Sequence, residues 1–128
     1  MTAGLWLGST VFFSFFIAPV LFRVLAAPDA ARVVRAVFPR YYLLGIVCGL
    51  VLCSLLLLRW DWPRLAAVIF LTLIDLYCRQ FLTPRINEAR DAGPPRQREF
   101  DRMHRISVQL NGVVMLGLVG FFVWAVWR

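Results

Sequence analysis

The stretch Ala3-Gly-Leu-Trp-Leu-Gly-Ser-Thr-Val-Phe-Phe-Ser-Phe-Phe-Ile-Ala-Pro-Val-Leu-Phe22 runs for twenty residues without a charge. At about 1.5 Å per residue, a helix of that length matches the roughly 30 Å hydrocarbon core of a bilayer. Tyr41–Leu58 repeats the pattern over eighteen uncharged residues, and Leu65–Leu82 and Ile106–Trp127 are apolar runs of similar length. In lipid every backbone polar group must find its partner inside the segment, so these runs read as helices. The expected fold is all-α, an integral membrane four-helix bundle with spans at about 3–24, 40–59, 64–82 and 104–127. Residues 1–128 form a single four-span domain.

Composition points the same way. Hydrophobic residues make up 61% of the chain and charged residues 16%, with a mean hydropathy of +0.74. The charges gather between the apolar runs, as they do in membrane proteins and not in soluble cores. All fourteen basic residues are Arg, and the formal net charge is +7. Here excess Arg is an orientation signal facing anionic headgroups, so the lipid bilayer is an expected partner and nucleic acid is not. The segments 23–40 and 83–105 hold ten of the Arg, whereas the opposite side holds Arg59, Arg64 and Arg128. The positive-inside rule places both Arg-rich loops in the cytoplasm and both termini outside. No basic segment precedes the first run, so a cleaved signal peptide is not expected.

The connectors carry recognisable breakers. Pro19 is expected to kink or end the first helix, and Thr83-Pro84-Arg85 to end the third. Residues 29–38 suit an amphipathic turn or two on the membrane surface, closed by a break at Phe38-Pro39. Arg59–Arg64 reads as a tight turn anchored at headgroup level by Trp60 and Trp62. Residues 85–105, with Gly93-Pro94-Pro95 in their middle, read as a polar loop. Gly4/Gly8 and Gly45/Gly49 are small-xxx-small steps suited to close helix packing, inside the bundle, in a homo-oligomer or against a larger membrane complex.

Polar residues inside spans are the functional candidates, because charge and amide groups are costly against hydrocarbon. Asp75 and Arg79 lie one helical turn apart in the third run, on a stripe with Thr72 and Thr83. The bland alternative is an internal ion pair that fixes packing. The stretch Phe100–Gly112 brings His104, the single histidine, with Ser107 and Asn111 at i, i+3, i+7 on one helix face. Counted from the outer interface at Pro63 and Trp127, Arg79 and Asn111 both lie about 24 Å down and Asp75 about 18 Å. Tyr41 and Tyr42 reach the same side. A ligand-binding pocket is therefore expected at the cytoplasmic end, lined by Asp75, Arg79, His104, Ser107, Asn111 and one tyrosine, with Tyr42 as the candidate.

No catalytic residue is assigned, since these spacings match no hydrolase triad, and an enzyme is not the expected class. Cys48, Cys53 and Cys78 lie in apolar runs without metal-type spacing, so no metal site is expected. No cofactor is expected either, although His104 could serve as one axial haem ligand. Its bland role is to hydrogen-bond a helix end.

Taken in order, Trp6-Leu7-Gly8, Pro19-Val-Leu-Phe22-Arg23, Phe38-Pro39-x-Tyr41-Tyr42, Leu82-Thr-Pro84-Arg85 and Phe100-xxx-His104-xx-Ser107-xxx-Asn111 resemble the transmembrane protein 205-like family. The first helix is more distantly similar to copper resistance protein D and the membrane protoporphyrinogen oxidase. The resemblance implies a four-helix bundle of a bacterial inner membrane, in a family without a settled activity. The animal relative's association with platinum-drug tolerance points toward handling of metals or small solutes. Two features depart from the family: only five residues precede Trp6, which raises the question of whether Met1 is the true start, and the loop before the last span is shorter than in the animal member. The leading expectation is a small membrane protein that transports or binds a small solute or metal species through the polar cluster. The alternatives are an accessory subunit of a larger complex and a haem- or porphyrin-linked redox protein.

Overall fold

A computed structural model describes residues 1–127; Arg128, counted above toward orientation, lies outside the described residues. The chain forms four long helices: α1 (Thr2–Val24), α2 (Ala27–Leu58), α3 (Trp62–Asp91) and α4 (Pro94–Val126). All four are long and apolar enough to cross a membrane. Two- and three-residue links join them, and links that short force each helix to run antiparallel to the last. α2 packs on α3, α3 on α4, and α1 closes the ring by touching both α2 and α4. The four-span bundle read from the sequence is the fold found.

The connectors differ from expectation. Pro19 does not end α1, and Pro84 does not end α3. A widened π-type turn, Phe13–Ile17, precedes Pro19, and a second, Cys78–Leu82, precedes Pro84. In these turns the amide of Ala18 bonds Phe13 and that of Thr83 bonds Cys78, five residues back. Shifting the ladder by one residue relieves the clash between a proline ring and the carbonyl four residues earlier. The expected break at Phe38-Pro39 is also absent, for α2 runs unbroken through Pro39. The amphipathic piece at 29–38 and most of the expected loop at 85–105 are therefore helical extensions of the spans. At 32 residues, α2 is about 48 Å long, more than hydrocarbon requires, so the Arg-rich ends of the helices form a tall rim.

The turns have local causes. Pro28 and Asp29 suit the first turn of α2, where a missing N–H costs nothing and an acid meets the positive end of the dipole. At the opposite end the Asp61 side chain caps α3 by accepting from the Arg64 amide at 3.4 Å, and it pairs with the Arg64 guanidinium at 3.1 Å. Gly93, at φ 72°, makes the bend between α3 and α4.

Two clusters fill the interior. One, in the half remote from the Arg-rich rim, joins Ala3, Trp6, Cys48, Leu52, Leu56, Leu65, Val68, Leu71, Val114 and Leu118. The second is small and lies toward the rim: Tyr42, Cys78 and Leu82, with Phe38, Tyr41 and Ile106 among the side chains against it. Outward positions such as Phe12, Phe15, Phe16, Leu50 and Phe70 are exposed, as a lipid-facing belt requires.

Candidate functional site

Between the clusters the buried polar groups form a layered set. Deepest is Asp75, only 4% exposed. Its Oδ2 accepts a hydrogen bond from the Trp6 indole at 3.2 Å. Gly45 makes this contact available, because a Cβ there would sit 2.0 Å from Asp75 Oδ2 and 2.8 Å from Trp6 Nε1. One turn on, a Cβ at Gly49 would sit 2.0 Å from Thr72 Oγ1, whose hydroxyl donates back to the Val68 carbonyl. Both glycines thus lie in the α2–α3 seam. Gly4 and Gly8 lie on the exposed face of α1, where a Cβ at Gly4 would reach only ordinary contact with Phe122 and one at Gly8 would meet nothing within 4 Å among the described residues.

The next layer crosses the bundle. Tyr41 donates to Asn111 Oδ1 at 2.5 Å, and Asn111 Nδ2 donates to Ser14 at 2.9 Å, so one amide ties α2, α4 and α1 together. Beside it the hydroxyls of Tyr42 and Ser107 share a hydrogen bond of 3.2 Å. An asparagine in a membrane span that is bonded at both ends is a strong interhelical tie.

Above this floor lies a cavity of about 370 Å³. Ser14, Tyr41, Tyr42, Ser107, Val108 and Asn111 line its base, and Ala18, Phe38 and Ile86 its middle. Arg35, Asn87, Arg90, Phe100 and His104 stand at the rim. From Phe100 to Asn111 along α4 is about 16 Å, which sets its depth. Two rim contacts order the mouth: Arg35 pairs with Asp91 across α2 and α3, and the Arg90 guanidinium lies 5.3 Å from the Phe100 ring centroid. His104 is exposed and stacks on Phe100, centroids 5.8 Å apart and planes 7° off parallel.

The structure therefore brings together His104, Ser107, Asn111 and Tyr42 from the expected set, and leaves out two. Asp75 sits below the floor on Trp6. Arg79 turns toward α2, donating from Nε to the Pro39 carbonyl at 3.2 Å. Among the described residues these two form no ion pair within 4 Å, so neither an internal pair nor a shared lining is what holds them. The i, i+4 spacing put both on one stripe; side-chain direction then separated them. Ser14, Phe38, Asn87, Arg35 and Arg90 were not anticipated. Ser14, a hydroxyl inside a run of phenylalanines, was the one visible hint. Among the described residues no group of three His, Cys, Asp or Glu side chains could hold a metal ion.

These features define a class: a small polytopic membrane bundle with a cavity at its Arg-rich end. A family described as a domain of unknown function, DUF4149, matches residues 1–95, and the chain belongs to that family. It is also similar to an uncharacterised protein of Aquifex aeolicus (strain VF5), 34% identical over 116 residues, covering 90% of this chain and 84% of that one. No solved structure matches.

Proposed function

We propose that this protein binds a small organic solute in the cavity between α1, α2, α3 and α4, and that it does so without catalysing a reaction. The observation that carries this reading is the cavity itself, which has the size and character of a ligand site: mostly apolar walls with a few convergent polar groups. Its base is a bonded set of side chains on three helices, so the cavity has a fixed floor and does not drain through the bundle. The Arg distribution supports an orientation in which this mouth faces the cytoplasm and both termini lie outside, in a bacterial inner membrane. The ordered motifs from Trp6 to Asn111 support kinship with the transmembrane protein 205-like family, and the same reading would extend to it.

Native mass spectrometry of the protein extracted in mild detergent tests the proposal. Wild-type protein should release a small molecule that Ala18→Trp, which fills the middle of the cavity, does not retain. An identical retained set in both proteins would sink it.

A further inference from the structure

The rim chemistry narrows the occupant. The lining contains Arg35, Arg90 and His104 and no Asp or Glu. Arg35 reaches Asp91 through one terminal nitrogen only; its Nε is buried and has no hydrogen-bond partner among the described residues. Arg64 Nε at the opposite end is likewise buried without an acceptor among the described residues; what sets Arg35 apart is the cavity beside it, where an acceptor fits.

The walls show how such a ligand would arrive. α1 packs on both α2 and α4 through Thr2–Phe12, and its Ala18–Val24 end packs on α2. Ser14–Asn111 is a tie between α1 and α4 at the level where the cavity begins. Beyond it Phe22 and Val108 both line the cavity and stay exposed, at 53% and 59%. On a membrane-embedded surface that exposure faces lipid, so at Phe22 and Val108 the cavity wall borders the leaflet.

We propose that the cavity takes an anionic amphiphile from the leaflet on the Arg-rich side, its carboxylate or phosphate at Arg35 and Arg90 and its apolar part between Phe22, Phe38, Ile86 and Val108. This rests on the cavity being a binding site, as argued above. Asp91 is then a resident competitor for Arg35. The ligand's anion takes the free Nε and draws the guanidinium from the exposed acid.

The test uses the full chain in a neutral maltoside detergent, with dodecyl phosphate as the probe. 1-Dodecanol supplies the tail without charge, and inorganic phosphate the charge without a tail. Dodecyl phosphate should raise the melting temperature saturably, and neither control should. Arg35→Gln with Arg90→Gln should weaken the apparent affinity at least about tenfold, the loss expected for one charge-assisted hydrogen bond. Asp91→Asn breaks the same ion pair but frees Arg35, so it should bind as tightly or more tightly; a merely structural ion pair would make both changes weaken binding. Ala18→Trp should abolish the shift.

An equal shift with dodecanol that Ala18→Trp abolishes would overturn anion recognition while leaving the cavity reading intact. An equal shift with inorganic phosphate would overturn the lipid source in favour of a soluble anion. A dodecyl phosphate shift that survives Ala18→Trp would place binding outside the cavity and overturn the proposal. Absence of any shift, with a retained molecule still lost from Ala18→Trp, would overturn the ligand class alone.

Discussion

The two halves of this bundle are built from the same four helices and solve opposite problems. In the half remote from the Arg-rich rim, small residues bring the helices into contact. Gly45 and Gly49 let α3 lie against α2, and Gly117 of α4 would place a Cβ 2.7 Å from the Leu71 side chain. The buried core of that half is apolar, aliphatic apart from Trp6 and Cys48. In the other half the same helices are interrupted by two π-type turns, carry Pro19, Pro39 and Pro84, and enclose a cavity. Packing attraction and interhelical hydrogen bonds hold membrane helices together, since lipid is as apolar as the core. The closed half relies on the first and the open half on the second. A site can be opened in such a bundle only where hydrogen bonds replace close packing, and Tyr41–Asn111–Ser14 is that replacement.

The sharpest way to break this contrast is to add one methyl group to the closed half. Gly45→Ala would drive Asp75 off Trp6, and Gly49→Ala would displace Thr72, each destabilising by about 1–3 kcal/mol as overpacking does. Gly8→Ala, on the exposed face, should be neutral or slightly stabilising because alanine is the better helix former. Thermal unfolding in detergent compares the three directly. Equal responses at Gly45 and Gly8 would mean that the α2–α3 seam is not close-packed.

At the boundary between the halves, Trp6→Phe keeps the aromatic body and removes the indole N–H. Asp75 then loses its hydrogen bond from α1, at a cost of about 1–3 kcal/mol for a buried group left unsatisfied. Trp6→Phe combined with Asp75→Asn should recover part of the loss, because an amide tolerates hydrocarbon better than a carboxylate. A double mutant no more stable than Trp6→Phe would argue that Asp75 is sustained by something other than the indole.

What was legible in the sequence follows the same division. Four charge-free or nearly charge-free runs fix the number of spans, because hydrocarbon thickness leaves a 20-residue stretch few alternatives. The polar face of α4 was equally readable, since His104, Ser107 and Asn111 repeat at helical spacing on a single element. The helix ends were not. Pro19, Pro39 and Pro84 are breakers by propensity, yet a π-type turn before two of them and tertiary packing around the third carry each helix onward. Asp75 and Arg79 fall outside the cavity lining for a related reason. Height along an axis can be counted from sequence, but Asp75 bends toward Trp6 because Gly45 leaves room, and Arg79 finds the Pro39 carbonyl on another helix. Such choices depend on pairs far apart in the chain: Trp6 and Asp75 are 69 residues apart and Ser14 and Asn111 are 97 apart.

Within the open half, Tyr41→Phe should cost about 1 kcal/mol, the net worth of a single hydrogen bond. It leaves Asn111 tied to Ser14 alone, so the junction of α2 with α4 should loosen, and with it the turn of α1 that bonds the same amide. Hydrogen exchange should rise at Phe13–Ile17 while the segment around Val68 and Leu118, buried in the closed half, stays protected. Uniform exchange changes would show that the two halves unfold as one unit and that the division is only geometric.

The smallest effect is expected at His104. Its ring is exposed and rests on Phe100, so His104→Ala should change stability by no more than about 0.5 kcal/mol, as surface substitutions do. The same variant decides between two uses of the open half. An axial haem ligand must hold the iron from a constrained position, usually with its second ring nitrogen anchored. A ring stacked at a cavity mouth beside Arg90 is better placed to meet the head of an amphiphile. Absorption spectra of the purified protein, as isolated and after dithionite, should therefore match between wild type and His104→Ala. A Soret band in the wild type that vanishes in the variant would turn the cavity into a porphyrin site. The charged rim would then be read as the seat of porphyrin carboxylates instead of a lipid head.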